Sequence, residues 1–501
     1  MSKNKSLHQL IHSLSTNEKR FFKMYASRHA IKGENKYVKL FRVFEKVKSY
    51  DDKAIDAAIE KADFIKYFSA EKNYLYNLLL DCLDIYHRET SIDRQISKMI
   101  NTGRVLLEKK LDAQAASILR KAKKLSELHD RQENVGPINY LLKLHDFGNE
   151  AVSIDTLKHF HQEEQVSLQE LIEKQRYQQA FEKLLLHRRL YGIAGDKSAL
   201  KYIVEDFPYL EKPISDNFSS FGISSYYFVS RLEYCRITRN REEGSFIANT
   251  LIQYMEANRK QIAGEYIELY TYALYIFIVG RYYQNSKEAV SQLKKLRHLE
   301  RFVDEKVTTS EQARCVEYYV TSITDLWLEK KNYNKIREEI EDINRALIDY
   351  APHLNPAFVL SMHFNIACLY FGAKEYREAL KWTNKVRNTN SRFREDIFYD
   401  LRTLDLIIHY ELGNHDILPS LFKSATYFHK QSTHKVGLQT VIIRSLEKLI
   451  HTNNKNQVQA IFKDLRKQLQ IMKDDPQENR IFHDVDLIAW VSEKCGEALS
   501  D

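Results

Sequence analysis

Apolar residues recur along this chain at spacings of three and four, the period of a helix buried along one side. Near the start, Ser15-Thr16-Asn17-Glu18 has the form of a capping box, in which the Ser15 hydroxyl and the Glu18 carboxylate each take the other's amide. The segment that follows, EKRFFKMYASRH, turns Phe21, Phe22 and Tyr25 toward a core. Tyr37–Lys48 places Val38, Phe41, Phe44 and Val47 at helical spacing. Asp51-Asp52 can cap the short helix DKAIDAAIEKA, and Ser69 can cap EKNYLYNLLLDCLDIYHR. That last segment is apolar around much of its circumference, which predicts a buried helix.

From about residue 92 the pattern becomes one of paired helices. Ile92–Lys109 and Asp112–His129 form the first pair, and Ala115, Leu119 and Ala122 are small or apolar where the second helix must fit its neighbour. Leu171, Tyr177 and Ala180 predict a turn inside LIEKQRYQQAFEKLL. Gly192, Gly195, Pro208, Pro213 and Gly222 then raise the density of helix breakers, so a hinge or irregular insertion is expected over 191–222. Beyond Gly222 the pairs resume. Second helices are expected near Gly244, Ser286, Tyr333, Tyr376, Asp416 and Asn456, at intervals of 42, 47, 43, 40 and 40 residues.

Length and composition agree with a long array of helices. At 501 residues the chain exceeds the roughly 250–300 at which a single core stops growing. It holds only 14 Gly and 7 Pro, which favours long helices joined by short turns. The expected organisation is a basic N-terminal helical domain over 1–91, an irregular helical-pair region over 92–222, repeats over 223–475 and a closing helix within 476–501.

One unit is formed better than the rest. Phe364–Val386, FNIACLYFGAKEYREALKWTNKV, carries Ile366, Ala367, Tyr370, Tyr376, Ala379 and Val386 in the order of two helices that cross closely. This segment resembles a tetratricopeptide repeat. Ile366 and Ala367 stand where that family usually has a Leu-Gly pair, and Ala379 is its small packing residue. His363 replaces the usual Trp, and no Pro closes the unit. The preceding unit keeps the apolar positions at Ile323, Trp327, Tyr333, Ile336, Ile340 and Ile343; the following one keeps Leu406, Tyr410, Gly413 and Phe422. The step is longer than the family's 34 residues and falls among helical-pair repeats of about 40–47.

The resemblance implies an all-α fold, an αα-superhelix: a right-handed solenoid of helix pairs. It implies a concave groove lined by first-helix residues, here Ser361, Phe364, Asn365, Cys368 and Phe371, that receives a protein or peptide. Asn365 stands where some members of the family hold a peptide backbone or a terminal carboxylate. No matching Asn and Lys set accompanies it, since Ser322 takes the corresponding place one unit earlier. A hydrogen bond between helices is therefore the expected role of Asn365.

Charge divides the chain. Residues 1–50 hold twelve Lys and Arg against three acidic residues, while the whole chain carries +8. Lys19, Lys23, Lys39, Arg42 and Lys46 fall on helix faces away from the apolar stripe and form a candidate basic surface. An anionic partner, nucleic acid included, is the second reading for this end. A solvated helix face is the plainer one.

Chemistry-bearing motifs are scarce. There is no GxxxxGK[ST] or GxGxxG loop, no HExxH and no GxSxG elbow. His8 and His12 are four apart, but no third ligand accompanies them, so packing or solvated histidines are expected. The cysteines, Cys82, Cys235, Cys315, Cys368 and Cys495, are odd in number and widely spaced, as expected of reduced thiols in the cytoplasm. MSKNKSLHQLIHSLSTNEKR has no long apolar core, so no secretory leader is expected. Leu269–Gly280 is too short to span a membrane. Aromatics, 31 Tyr and 25 Phe, are read mainly as core, with some left to line a groove. The sequence points to a non-catalytic binding protein without cofactor or metal, and it leaves the partner and oligomeric state open.

Overall fold

The structure is a computed structural model. It describes residues 3–27, 36–47, 50–51, 53, 55, 57, 59, 68–87, 91–147, 153–191, 197–213, 218–262, 264–281, 287–303, 307–388, 395–431, 437–473 and 485–495. Among these residues it is all-helical, with 22 α-helices and no strand.

Four N-terminal helices, α1 (Lys3–Ser13), α2 (Thr16–Ser27), α3 (Lys36–Lys46) and α4 (Phe68–His87), close on a core of their own that Ile55 and Ile59 join. Phe22, Phe41 and Phe44 lie at its centre. The predicted capping box is present: the Ser15 amide donates to Glu18 Oε2 at 2.7 Å and the Glu18 amide to Ser15 Oγ at 3.3 Å. Two expectations need correction. Ser69 lies inside the first turn of α4, because that helix already begins at Phe68. Nor is α4 buried all round. Lys72, Leu75, Leu79 and Cys82 form one buried stripe at helical spacing, while Tyr74 and Leu80 are exposed.

Next come α5 (Ile92–Glu108), α6 (Asp112–Leu128), α7 (Val135–Phe147) and α8 (Ile154–Tyr191). Gly103 lets α5 approach α6 so closely that a Cβ there would lie 2.7 Å from Leu119. The turn expected near Leu171–Ala180 does not occur. α8 runs unbroken for 38 residues. No Gly or Pro interrupts it, and strong helix formers (Leu, Glu, Gln, Lys) fill it, so nothing local stops propagation. α9 (Lys197–Asp206) and a 3₁₀ turn at Pro208–Glu211 follow.

The remaining helices alternate between two environments. α10 (Phe221–Ile237), α12 (Glu265–Arg281), α14 (Thr309–Glu329), α16 (Pro356–Gly372), α18 (Glu395–Glu411) and α20 (Gly437–Ile450) each touch the next of their set. Between them lie α11 (Arg241–Ala257), α13 (Lys287–Arg297), α15 (Lys335–Asp349), α17 (Tyr376–Arg387), α19 (Leu418–Gln431) and α21 (Lys455–Met472). The members of the second set start at intervals of 46, 48, 41, 42 and 37 residues. Each of these starts lies within three residues of its predicted position. Ser286 itself falls outside the described residues.

The inner set is the more deeply buried. α12 is enclosed along most of its length, as its uninterrupted apolar run requires. α17 shows one buried stripe, Ala379, Trp382, Thr383 and Val386. The predicted closing segment contributes α22 (Leu487–Lys494), which packs on α21. Trp490 Nε1 and Lys494 Nζ both donate to Glu411, each at 2.8 Å, which fastens α22 back onto α18.

Six turns share one geometry. Lys110, Asp130, Arg239, Lys331, Lys374 and Gly413 follow helices α5, α6, α10, α14, α16 and α18 with φ between 54° and 71°. In each, the next amide returns to a carbonyl five residues earlier, as from Glu375 to Tyr370 at 2.9 Å and from Asn332 to Trp327 at 2.8 Å. This is the Schellman closure, made here five times without glycine.

Candidate functional site

Side chains on successive inner helices make a ladder of direct contacts. On α10, Arg236 donates to the Tyr275 hydroxyl of α12 at 3.1 Å, and its guanidinium lies 5.2 Å from that ring's centroid. Tyr275 stacks on Tyr318 of α14, with centroids 5.0 Å apart and planes at 21°. Two turns of α14 further on, Asp325 accepts from Asn365 Nδ2 of α16 at 2.9 Å, and Thr324 Oγ1 lies 3.4 Å from the same nitrogen. The ladder thus steps across four inner helices at intervals of 39, 43 and 40 residues, close to the repeat interval. Arg236, Tyr318, Asp325 and Asn365 all keep part of their surface in solvent.

Behind this row lies a buried charge. Glu233 has no exposed surface, and it accepts from Arg188 Nε of α8 and from the Tyr272 hydroxyl. Arg188 and Tyr272 thereby compensate a carboxylate that would be costly to bury alone. Tyr272 also meets Phe181 of α8 and Tyr318, at centroid distances of 5.7 and 6.1 Å. On α14, Glu317 takes Arg314 Nη1 at 2.9 Å and the Asn355 amide at 2.5 Å, so it caps the entry to α16.

Electrostatics fix the protonation of these groups. Burial raises the pKa of Tyr272, Tyr275 and Tyr318, so all three remain phenols. Burial works against the Arg236 cation, but Tyr275, Tyr272 and Glu233 outweigh it and its pKa rises. The ladder therefore offers aromatic faces, a permanent cation and amide and hydroxyl donors. This is the chemistry of recognition.

The residues picked out by sequence divide in two. Phe364, Cys368 and Phe371 are buried in the core between the inner and outer helices, with at most 5% of their surface exposed. They are corrected from groove contacts to packing residues, because α16 has neighbours on several sides: α14, α15, α17 and α18. Ser361 and Asn365 stay half-buried at the surface. Ser361 Oγ donates to the Ala357 carbonyl at 2.9 Å, and Asn365 makes the expected bond between helices.

At the basic end, Lys19 and Lys23 converge on Glu45 of α3, at 3.5 and 3.0 Å. Burial opposes the Glu45 charge, but Lys23 and Lys19 lower its pKa overall. Lys39, Arg42 and Lys46 are exposed on α3. The two histidines of α1 turn inward. His8 Nε2 bonds the Val47 carbonyl at 2.6 Å and His12 Nε2 the Phe44 carbonyl at 3.0 Å.

Sequence reading missed Arg236, Tyr275, Tyr318 and Asp325. Their signal was the near-40-residue recurrence of polar and aromatic residues within apolar helices, visible only once inner and outer helices are told apart. No family model, curated protein or solved structure matches the chain.

Proposed function

We propose that this protein is a non-catalytic binding scaffold, an αα-superhelix of tetratricopeptide-like helix pairs that receives a protein or peptide along its inner helices. The ladder Arg236–Tyr275–Tyr318, continued by Asp325–Asn365, carries this reading. The contact of each inner helix with the next supports a stacked αα-solenoid. The buried cysteines, none joined in a disulfide, agree with a reducing compartment such as the cytoplasm. Among the described residues no helix is long and apolar enough to cross a membrane.

An extended peptide is the occupant that fits this row best. Tyr318, backed by the buried Tyr275, can hold an apolar side chain, while Arg236 and Asn365 can meet backbone carbonyls or an acidic group. Nucleic-acid binding at the N-terminal helices has less support, since two of the five basic residues are drawn into ion pairs with Glu45.

The test uses the full chain as bait, with Tyr318→Ala and Arg236→Ala beside a control, Lys381→Ala on an outer helix. Captured proteins lost with both ladder variants and kept with the control support the reading. An identical set from all four chains, or an empty one, sinks it.

A further inference from the structure

The longest helix carries a second, separate surface. On α8, Ile154, Leu168, Ile172, Leu186 and Leu190 are 74, 58, 67, 55 and 63% exposed. At 3.6 residues per turn they fall within one sector about 40° wide. The far side, with Ser167, Ala180 and Leu184, is buried, and α8 packs there on α10. Five large apolar side chains in one row on a single helix exceed the scattered exposure normal for a folded chain. Gln165 and Gln179, both exposed, fill the same row between them.

The row is self-complementary at its centre and at its two ends. Ile154 and Leu190 lie eighteen residues to either side of Ile172, five full turns or about 27 Å each way. A second α8 laid antiparallel about a two-fold axis at Ile172 sets Ile154 on Leu190, Gln165 on Gln179 and Ile172 on itself, while Leu186 falls level with Lys158 beside Leu157 and Leu168 level with the stem of Arg176.

Polar groups on both flanks obey the same axis. His161, in the row, and Glu182, on one flank, stand eleven residues before and ten after Ile172, so each His161 imidazole comes within reach of the other copy's Glu182 carboxylate. Both are exposed, and among the described residues neither is in an ion pair. Lys183, near the same level, is turned to Asp206 at 2.6 Å. On the other flank Gln169 and Arg176 stand three before and four after Ile172, which brings each Gln169 carbonyl to the other copy's Arg176 guanidinium. A shifted register that matches Leu168 with Leu190 leaves Ile154 uncovered and sets Arg176 against Lys183, so like charges oppose it. We propose that two copies of this chain associate through α8 as an antiparallel, isologous pair about Ile172.

Sedimentation of the full chain over a concentration series tests this. The expected species has twice the 59.3 kDa chain mass. Ile172→Glu should weaken association by at least about a hundredfold while circular dichroism stays unchanged, since the site is exposed. His161→Glu sets carboxylate against carboxylate and should weaken it by about tenfold; adding Glu182→Lys to the same chain should restore it. Under mild oxidation Ile172→Cys should cross-link to itself, and Ile154→Cys only to Leu190→Cys; the native cysteines are buried and do not compete. A monomer at every concentration, a dimer indifferent to Ile172→Glu, a double variant no tighter than His161→Glu alone, or Ile154→Cys linking to itself would overturn the proposal.

Discussion

Asp130 accepts a hydrogen bond from the Tyr266 hydroxyl at 3.0 Å, across 136 residues of chain. The same carboxylate oxygen takes the Gly222 amide at 2.7 Å, in the first turn of α10. The loop that closes α6 thus caps a helix far along the chain and is favoured by that helix's dipole. Next to it, Arg131 donates to Asp93 at 2.5 Å and to the His129 carbonyl at 3.0 Å. Burial raises the Asp130 pKa, against the donors that lower it.

Removing that carboxylate strands two buried donors. Asp130→Ala is expected to destabilise the fold by about 2–4 kcal/mol in urea unfolding. A Cβ at Gly222 would lie 2.4 Å from the Tyr266 hydroxyl and 2.5 Å from Asp130. Gly222→Ala should therefore disrupt the same junction, and the two changes together should cost less than their sum. A loss under about 0.5 kcal/mol for Asp130→Ala would mean the junction holds by packing alone.

The left-handed turn residues offer gains. Lys331→Gly and Lys374→Gly remove the steric penalty of φ 54° and 62° at turns already closed by backbone bonds. Each is expected to stabilise by about 0.5–1 kcal/mol, less the added entropy of the unfolded chain. Thermal melts of the single and double variants would show it; a fall in midpoint would mean that the lysine side chains hold these turns.

His363 should make the fold acid-sensitive. Burial, then the nearby Lys385, lowers its pKa from 6.5 to about 4. The ring lies 5.4 Å from Trp382. A depressed histidine leaves the folded state short of protons relative to the unfolded one, so its contribution is complete above about pH 6.5 and is lost as pH falls toward 4. The slope from this group reaches up to about 1.4 kcal/mol per pH unit within that window. Denaturation midpoints of wild type and His363→Gln from pH 7 to 4.5 should converge as the wild type weakens; parallel curves would refute it.

Close helix crossings should be intolerant of a single methyl. At Gly372 a Cβ would come within 2.4 Å of the Tyr333 ring, and at Gly103 within 2.7 Å of Leu119. Gly372→Ala and Gly103→Ala are each expected to cost about 1–3 kcal/mol. Gly136→Ala, with nothing within 4 Å, should be neutral or stabilising and serves as the control in the same unfolding assay.

Much of the helical plan was legible because its signals are local. The Ser15–Glu18 box and the Tyr376 start depend on residues a few positions apart. The small residues Ala115 and Ala122 likewise marked a close crossing, and both are buried. The failures have local causes too. Tyr177 and Ala180 look alike in a turn and in a long helix, and only the absence of a breaker separates the cases. Phe364 and Phe371 lie on a helix apolar on all sides, so periodicity could not say which side faces out.

The sequence by itself determined that this chain is helical, where most helices start, and that their pairs recur every forty-odd residues. Those properties follow from propensity, capping and period, which act over a few residues. Tertiary structure decided which side chains meet: Asp130 with Tyr266, Arg236 with Tyr275, Tyr275 with Tyr318, Asn365 with Asp325. It also decided that α8 is one helix with its apolar row left in water. Contacts between groups 39 to 136 residues apart depend on how helices cross, and no local spacing encodes a crossing.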